Sequence, residues 1–170
     1  GGFPEVLGGP LAKNQSMKKS IKKLAEQDMP IYGECGGLMY LTKSIIYGTK
    51  KHSMVGLFDA ETSMEKKMTL NYTKASVTSS CLVAKKSAKI LGHEFHYSRI
   101  RPEPGPKDRL AFRVARGAGL GDGLRRPLAG VGEPRVCVLH DADQRVASRQ
   151  LFALPVYEHE RSAGCHQRVT

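Results

Sequence analysis

Six residues, Tyr32-Gly33-Glu34-Cys35-Gly36-Gly37, constrain this chain more than any other feature. An apolar stretch, Pro30, Ile31 and Tyr32, runs into Gly-x-Cys-Gly-Gly, and Leu38-Met39-Tyr40-Leu41 follows with helical character. The pattern is that of a nucleophile elbow: a buried strand ends, the chain turns sharply at the nucleophile, and a helix begins. Glycines flank such a turn because side chains there would clash with strand or helix. A cysteine at a helix start meets free N–H groups, which favour its thiolate and can also hold an oxyanion. The same residues also fit a Gly-rich strand–helix turn around an inert buried cysteine.

The chain, 170 residues long, has room for one domain with a real core. It is 40% hydrophobic and 25% charged, as soluble globular proteins are. No apolar run reaches membrane-spanning length, and the start does not read as a signal peptide. The chain opens on Gly1-Gly2 without Met, which suggests a start inside a larger protein. Cys35, Cys81, Cys137 and Cys165 are too irregularly spaced for a disulfide framework, and no clustered Cys/His pattern supports zinc. These features predict a reducing, cytoplasmic location.

The net charge of +11 raises the question of nucleic acid. Lys18, Lys19, Lys22 and Lys23 fall on the polar side of one amphipathic helix, which is the usual form of a solvated face. The few aromatics are not interleaved with basic residues as a stacking surface requires. Neither nucleic acid nor membrane is expected as a partner. The charge can still draw in an anionic substrate.

Along the chain, the spacing predicts a helix over 11–28, with Met17, Ile21 and Leu24 on one face. It predicts a strand over 30–34, a helix from Gly36 to about Tyr47, and strands at 54–58, 68–78, 90–97 and 111–114. Pro102, Pro104 and Pro106 mark a loop, and Gly117 to Gly123 a turn. Beyond 123 neither periodicity is clean. Early alternation of strand and helix predicts an α/β domain with a mainly parallel sheet.

Four segments occur in order: Gly-Gly-Phe-Pro-Glu (1–5), Asn14-Gln15-Ser16-Met17 with Ile21, Gly-Glu-Cys-Gly-Gly-Leu-Met-Tyr-Leu (33–41), and Gly-His-Glu-Phe-His-Tyr-Ser (92–98). Together they resemble the glutamine amidotransferase domain of the cobyrinic acid a,c-diamide synthase family, which includes the hydrogenobyrinic acid and nickel-sirohydrochlorin enzymes. The resemblance covers residues 1–123. It implies a flavodoxin-like class I amidotransferase fold with a mainly parallel sheet, here N-terminally truncated. It implies that glutamine is hydrolysed to ammonia for an ATP-dependent amide ligase of cobalamin biosynthesis. A separate synthetase domain, in the same or a partner chain, would use ATP and Mg²⁺ to activate carboxylates of a corrinoid or related tetrapyrrole. This chain itself would need no cofactor and no metal.

On that resemblance Cys35 is the nucleophile and forms a γ-glutamyl thioester. The Gly36 N–H and a donor from the Gly2 loop hold the oxyanion. Glu34 is structural or orients glutamine. The family's catalytic His lies in a C-terminal Ser-Tyr-Thr-His stretch, which this chain lacks. His140 is the candidate base at a plausible distance along the chain. His93, Glu94 and His96 match the family motif and are expected to shape the cleft or an interdomain face; structural hydrogen bonding is the alternative for each His. Without the recognisable His, the chain as given is expected to release little ammonia, and a catalytically dead, partner-binding amidotransferase-like module is the competing reading.

The basic residues change kind partway: residues 1–100 hold 14 Lys and 1 Arg, and 101–170 hold 1 Lys and 11 Arg. After Gly121-Asp122-Gly123 the family pattern is lost. Leu124-Arg125-Arg126-Pro127, read one nucleotide later, is able to encode Asp-Gly-Leu, as the family pattern requires. Residues 124–170 are therefore expected to be an aberrant, frame-shifted tail, which the coding DNA would test.

Overall fold

The computed structural model describes residues 2–27, 29–78, 80–82, 84–102, 112–117 and 136–139. Two helices open it. α1 is Gly8–Lys13 and α2 is Gln15–Glu26. The single helix predicted over 11–28 is thus divided. Asn14 divides it, because its side chain accepts a hydrogen bond from the Met17 N–H (3.1 Å) and so caps α2. α1 lies so close to residues 50–53 that a Cβ on Gly8 would fall on the His52 ring.

β1 (Ile31–Glu34) leads through Cys35 into α3 (Gly36–Leu41). The helix predicted to reach Tyr47 stops six residues early. Thr42 Oγ1 donates to the Met39 carbonyl (2.7 Å), and Thr42–Tyr47 becomes strand β2. Thr42, Ile45 and Ile46 are β-branched, which suits a half-buried strand better than a helix. β3 (Lys50–Ser53) returns through a tight turn in which Gly48 takes φ of 60°. Residues 54–57, predicted as strand, connect instead to β4 (Phe58–Val77). Here the backbone bonds back to the α3–β2 segment, with Val55 N–H donating to Tyr40 O and Leu57 N–H to Leu41 O.

β4 and β5 (Lys89–Pro102) form a long antiparallel ribbon with a register shift between Met64 and Thr69. β6 (Phe112–Arg116) pairs with the end of β4. Of the predicted strands at 68–78, 90–97 and 111–114, these elements take up 68–77, 90–97 and 112–114; Thr78 lies past the end of β4, and Ala111 lies outside the described residues. Most of the loop and turn predicted at 102–106 and 117–123 lies outside the described residues.

The α/β class stands. Parallel pairing joins β1 to β7 (Val136–Leu139) and β2 to β4. β3, β5 and β6 instead pair antiparallel, so the five-stranded sheet is mixed rather than mainly parallel. A parallel neighbour needs a crossover, commonly a helix. Among the described residues no helix follows Leu41; β2 folds back on β3 and β4 on β5, while β6 returns to pair with β4. β7 lies where no periodicity is visible in the sequence. Val136-Cys137-Val138-Leu139 is a continuous apolar run, which is how parallel strands read, and alternation is the wrong signal for it.

Three hydrophobic clusters pack against the sheet, one of them made by Met39, Ile45 and Met54. Leu38 and Leu41 of α3 pack with Val55, Phe58, Ala60 and Ile100. At the far end Phe112, fully buried, packs with Ala75, Val77, Ala84, Ile90 and Val114. Among the described residues no helix is long and apolar enough to cross a membrane.

Candidate active site

Cys35 stands between the last residue of β1 and the first of α3, as the glycine spacing predicts. Its backbone is at φ 52°, ψ −115°. This is close to the mirror image of the first central residue of a type II turn, a region that L side chains rarely occupy. Holding a non-glycine residue there costs on the order of 1–3 kcal/mol, and such residues concentrate where a side chain must be presented for chemistry. Cys35 is half-buried and is not in a disulfide. Its carbonyl accepts the Met39 N–H (3.1 Å), the first hydrogen bond of the helix. Turn and helix are therefore one unit.

The surrounding glycines have different reasons to be there. A Cβ on Gly33 would come within 2.8 Å of Leu41 Cδ1 and 3.4 Å of the Gly37 carbonyl carbon. Leu41 is itself buried in the core, so it has little room to yield. Gly36 is buried at the start of α3. Gly37 has open space where its Cβ would stand, so crowding does not explain it. Gly33→Ala is accordingly expected to lower stability by about 1–3 kcal/mol through overpacking, and Gly37→Ala to cost less. Urea unfolding of the two variants compares them directly.

Gly2 lies in the opening loop with φ 95° and no neighbour around its Cβ position, so conformation rather than crowding calls for glycine. The loop is closed by the Val6 and Leu7 N–H groups, both donating to Phe3 O.

The Gly-His-Glu-Phe-His-Tyr-Ser segment lies along β5, and its residues alternate between two faces. His93 is exposed, opposite Tyr72 on β4. Glu94 is buried and accepts a hydrogen bond from Asn71 Nδ2 (3.3 Å). Gly117 comes up against it, for a Cβ there would be 3.2 Å from Glu94 Oε1. His96 is half-buried, and its Nδ1 is 2.8 Å from the Ser98 carbonyl oxygen. The β5 residue packed beneath α3 is Ile100. Glu94 is six residues further along the strand, about 20 Å at the rise of an extended chain. The segment thus lies between the far end of the sheet and the floor of the Cys35 helix, with Glu94 buried against Asn71, His96 held to a backbone carbonyl and His93 exposed.

His140 lies outside the described residues. Leu139, which precedes it, does not. The Cα of Leu139 pairs with that of Glu34, in a parallel register that runs Ile31↔Val136, Tyr32↔Cys137, Gly33↔Val138, Glu34↔Leu139. Cys35 and His140 each follow directly on the last residue of this ladder. Sequence reasoning had no means to find this alignment, because it depends on which strand lies beside β1.

Residues 1–130 match the family described as CobB/CobQ-like glutamine amidotransferase domain. Similar curated proteins include the cobyrinate a,c-diamide synthase of Caldanaerobacter subterraneus, 50% identical over 103 residues, covering 59% of this chain and 23% of that protein. The Archaeoglobus fulgidus synthase of the same name is 42% identical over 126 residues, covering 74% of this chain and 27% of its own length. The Methanosarcina barkeri one is 36% identical over 143 residues, with 76% and 29% covered. The chain spans about a quarter of the length of these relatives.

Proposed function

The chain belongs to the CobB/CobQ-like glutamine amidotransferase family, and on that premise we propose that it releases ammonia from glutamine, with Cys35 as nucleophile, for amidation of tetrapyrrole carboxylates by a cobyrinate a,c-diamide synthase. The observation that carries this reading is the strained backbone of Cys35 at the junction of β1 and α3.

In the proposed reaction His140 takes the thiol proton as Cys35 Sγ attacks the side-chain amide carbon of glutamine. The negative charge that develops on the amide oxygen is met by the Gly36 N–H and a donor from the Gly2 loop. Each such donor is typically worth about 3 kcal/mol in the transition state. The C–N bond then breaks, the proton passes to the leaving nitrogen, and ammonia departs. Water attacks the γ-glutamyl thioester, restores the thiol and gives glutamate. What supports His140 as the base is its position one residue past a ladder that runs level with the strand before Cys35.

Activation of the acceptor belongs to the synthetase part of the longer relatives, with ATP and Mg²⁺. The described residues bring together no three His, Cys, Asp or Glu side chains that could hold a metal. The chain carries no Gly-x-x-x-x-Gly-Lys-Ser/Thr phosphate loop either.

Ammonia release by the full chain tests the assignment of the base. His140→Ala is expected to lower the rate about 10²–10⁴-fold, the usual contribution of a positioned acid–base group. An unchanged rate would remove His140 from the mechanism. No release by the unaltered chain would favour the partner-binding module, and a frame-shifted tail from residue 124 would then be its natural cause.

A further inference from the structure

The ribbon of β4 and β5 is inside out at its far end. β5 turns Gly92, Glu94, His96 and Ser98 toward the covered side of the sheet and Leu91, His93, Phe95 and Tyr97 toward solvent, so that three of these four outer residues are large and apolar. On β4, Leu70 and Tyr72 share that outer side, with Leu70 paired to Phe95 and Tyr72 to His93. Their exposure is large: Tyr72 74%, Leu70 61%, Leu91 58%, Phe95 52%. A sheet with one face in water normally places its apolar residues inward and its polar ones outward. Here both halves of that rule are reversed over the same few residues.

The reversal is local. Before the register shift the outer face is charged and internally paired, with Lys43 bridged to Asp59 and Lys51 to Glu61. Past the shift it becomes aromatic and aliphatic. A contiguous apolar patch of this kind, with Lys74 and Arg99 at its edges, marks an interaction site rather than a solvated surface. Aromatic residues of this type are also the ones that dominate binding energy at interfaces.

We propose that this outer face, Leu70, Tyr72, Leu91, Phe95 and Tyr97, docks the acceptor-activating part of the diamide synthase. This rests on the amidotransferase reading above. The occupant is argued from length: the chain spans only 23–29% of relatives that match it at 36–50% identity, so the larger share of those proteins lies beyond the match. On that reading, ammonia made at Cys35 must also reach an activated acceptor. The basic edges of the patch call for an acidic rim on the partner.

The test mixes the full chain with the Caldanaerobacter subterraneus synthase shortened by its matching 103 residues, its fold checked by circular dichroism. Sedimentation velocity is expected to show a one-to-one complex. Tyr72→Glu with Phe95→Glu is expected to weaken it a hundredfold or more, while the melting temperature of the chain alone and diazo-ketone labelling of Cys35 stay unchanged. A parallel measurement needs no shortened protein. Hydroxyl-radical footprinting is expected to label Tyr72, Phe95 and Tyr97 in the chain alone, and to leave the aligned side chains of the intact synthase protected. Equal binding by the double variant, or equal labelling in the intact synthase, would overturn the proposal. So would a drop in melting temperature of the variant alone, which would put the chain's own polypeptide on the face, or loss of a self-dimer, which would put a second copy there. Complex formation without Cys35 labelling would count against the amidotransferase reading and leave the docking intact; labelling without a complex would do the reverse.

Discussion

Cys35→Ala is expected to lower ammonia release from glutamine by about four orders of magnitude or more, as loss of a covalent nucleophile does in enzymes that depend on one. The same change should abolish modification by a diazo-ketone glutamine analogue. In the unaltered chain that reagent is expected to mark Cys35 far faster than Cys81, a second half-buried cysteine that is not in a disulfide. Both thiols are half-buried, so burial alone does not separate them. What separates them is geometry: Cys35 is held at positive φ between a strand end and a helix start, and Cys81 sits in a bridge to Ala84. Peptide mapping after labelling reads the difference. Equal labelling of the two would reduce Cys35 to an ordinary accessible thiol. Because Cys35 is half-buried and Ala keeps the Cβ that strains the backbone at positive φ, Cys35→Ala should leave the unfolding midpoint close to that of the parent.

Phe112→Ala is expected to cost about 3–5 kcal/mol, the range for removing a large aromatic from a packed core. Phe112 is the largest fully buried side chain among the described residues and the centre of the cluster made with Val77, Ile90 and Val114. A loss of that size is a large fraction of the stability of a typical domain, and denaturant unfolding would show it as a lower midpoint with an unchanged slope. Phe112 belongs to a different cluster from the one under α3. At temperatures where the variant remains folded, labelling of Cys35 should therefore persist. A cost below about 1 kcal/mol would mean that the far end of the sheet is not the close-packed core described here.

The elbow was legible because its signal is local. Three glycines around one cysteine, between an apolar run and a helical one, specify a turn wherever the rest of the chain goes. Gly33 and Cys35 meet that expectation by different means, one through crowding against Leu41 and the other through its backbone angle. The helix after it was read too long because Ile45 and Ile46 extend an apolar pattern that suits either structure. Thr42, bonded back to Met39, is the stop signal, and a threonine alone does not announce one. The strand directions were not legible, since parallel or antiparallel pairing depends on what connects the strands and not on their own residues. The same limit hid β7 and its register with β1.

The β5 segment shows a further limit. Its alternation is plain in the sequence, and a strand over 90–97 follows from it. Which side faces the core does not follow, because Leu91, Phe95 and Tyr97 look like the core side and are the exposed one. Hydrophobic patterning gives the period of a strand; it assigns the buried face only when a single partner layer is in view.

In the proposed mechanism Cys35 Sγ is the atom that takes the glutamyl group. Acid-quenched reaction of the full chain with glutamine, followed by peptide mass spectrometry, measures that directly. A γ-glutamyl adduct confined to the peptide that contains Cys35 is the predicted result. Ammonia release with no adduct on that peptide, or an adduct on another cysteine, would contradict it.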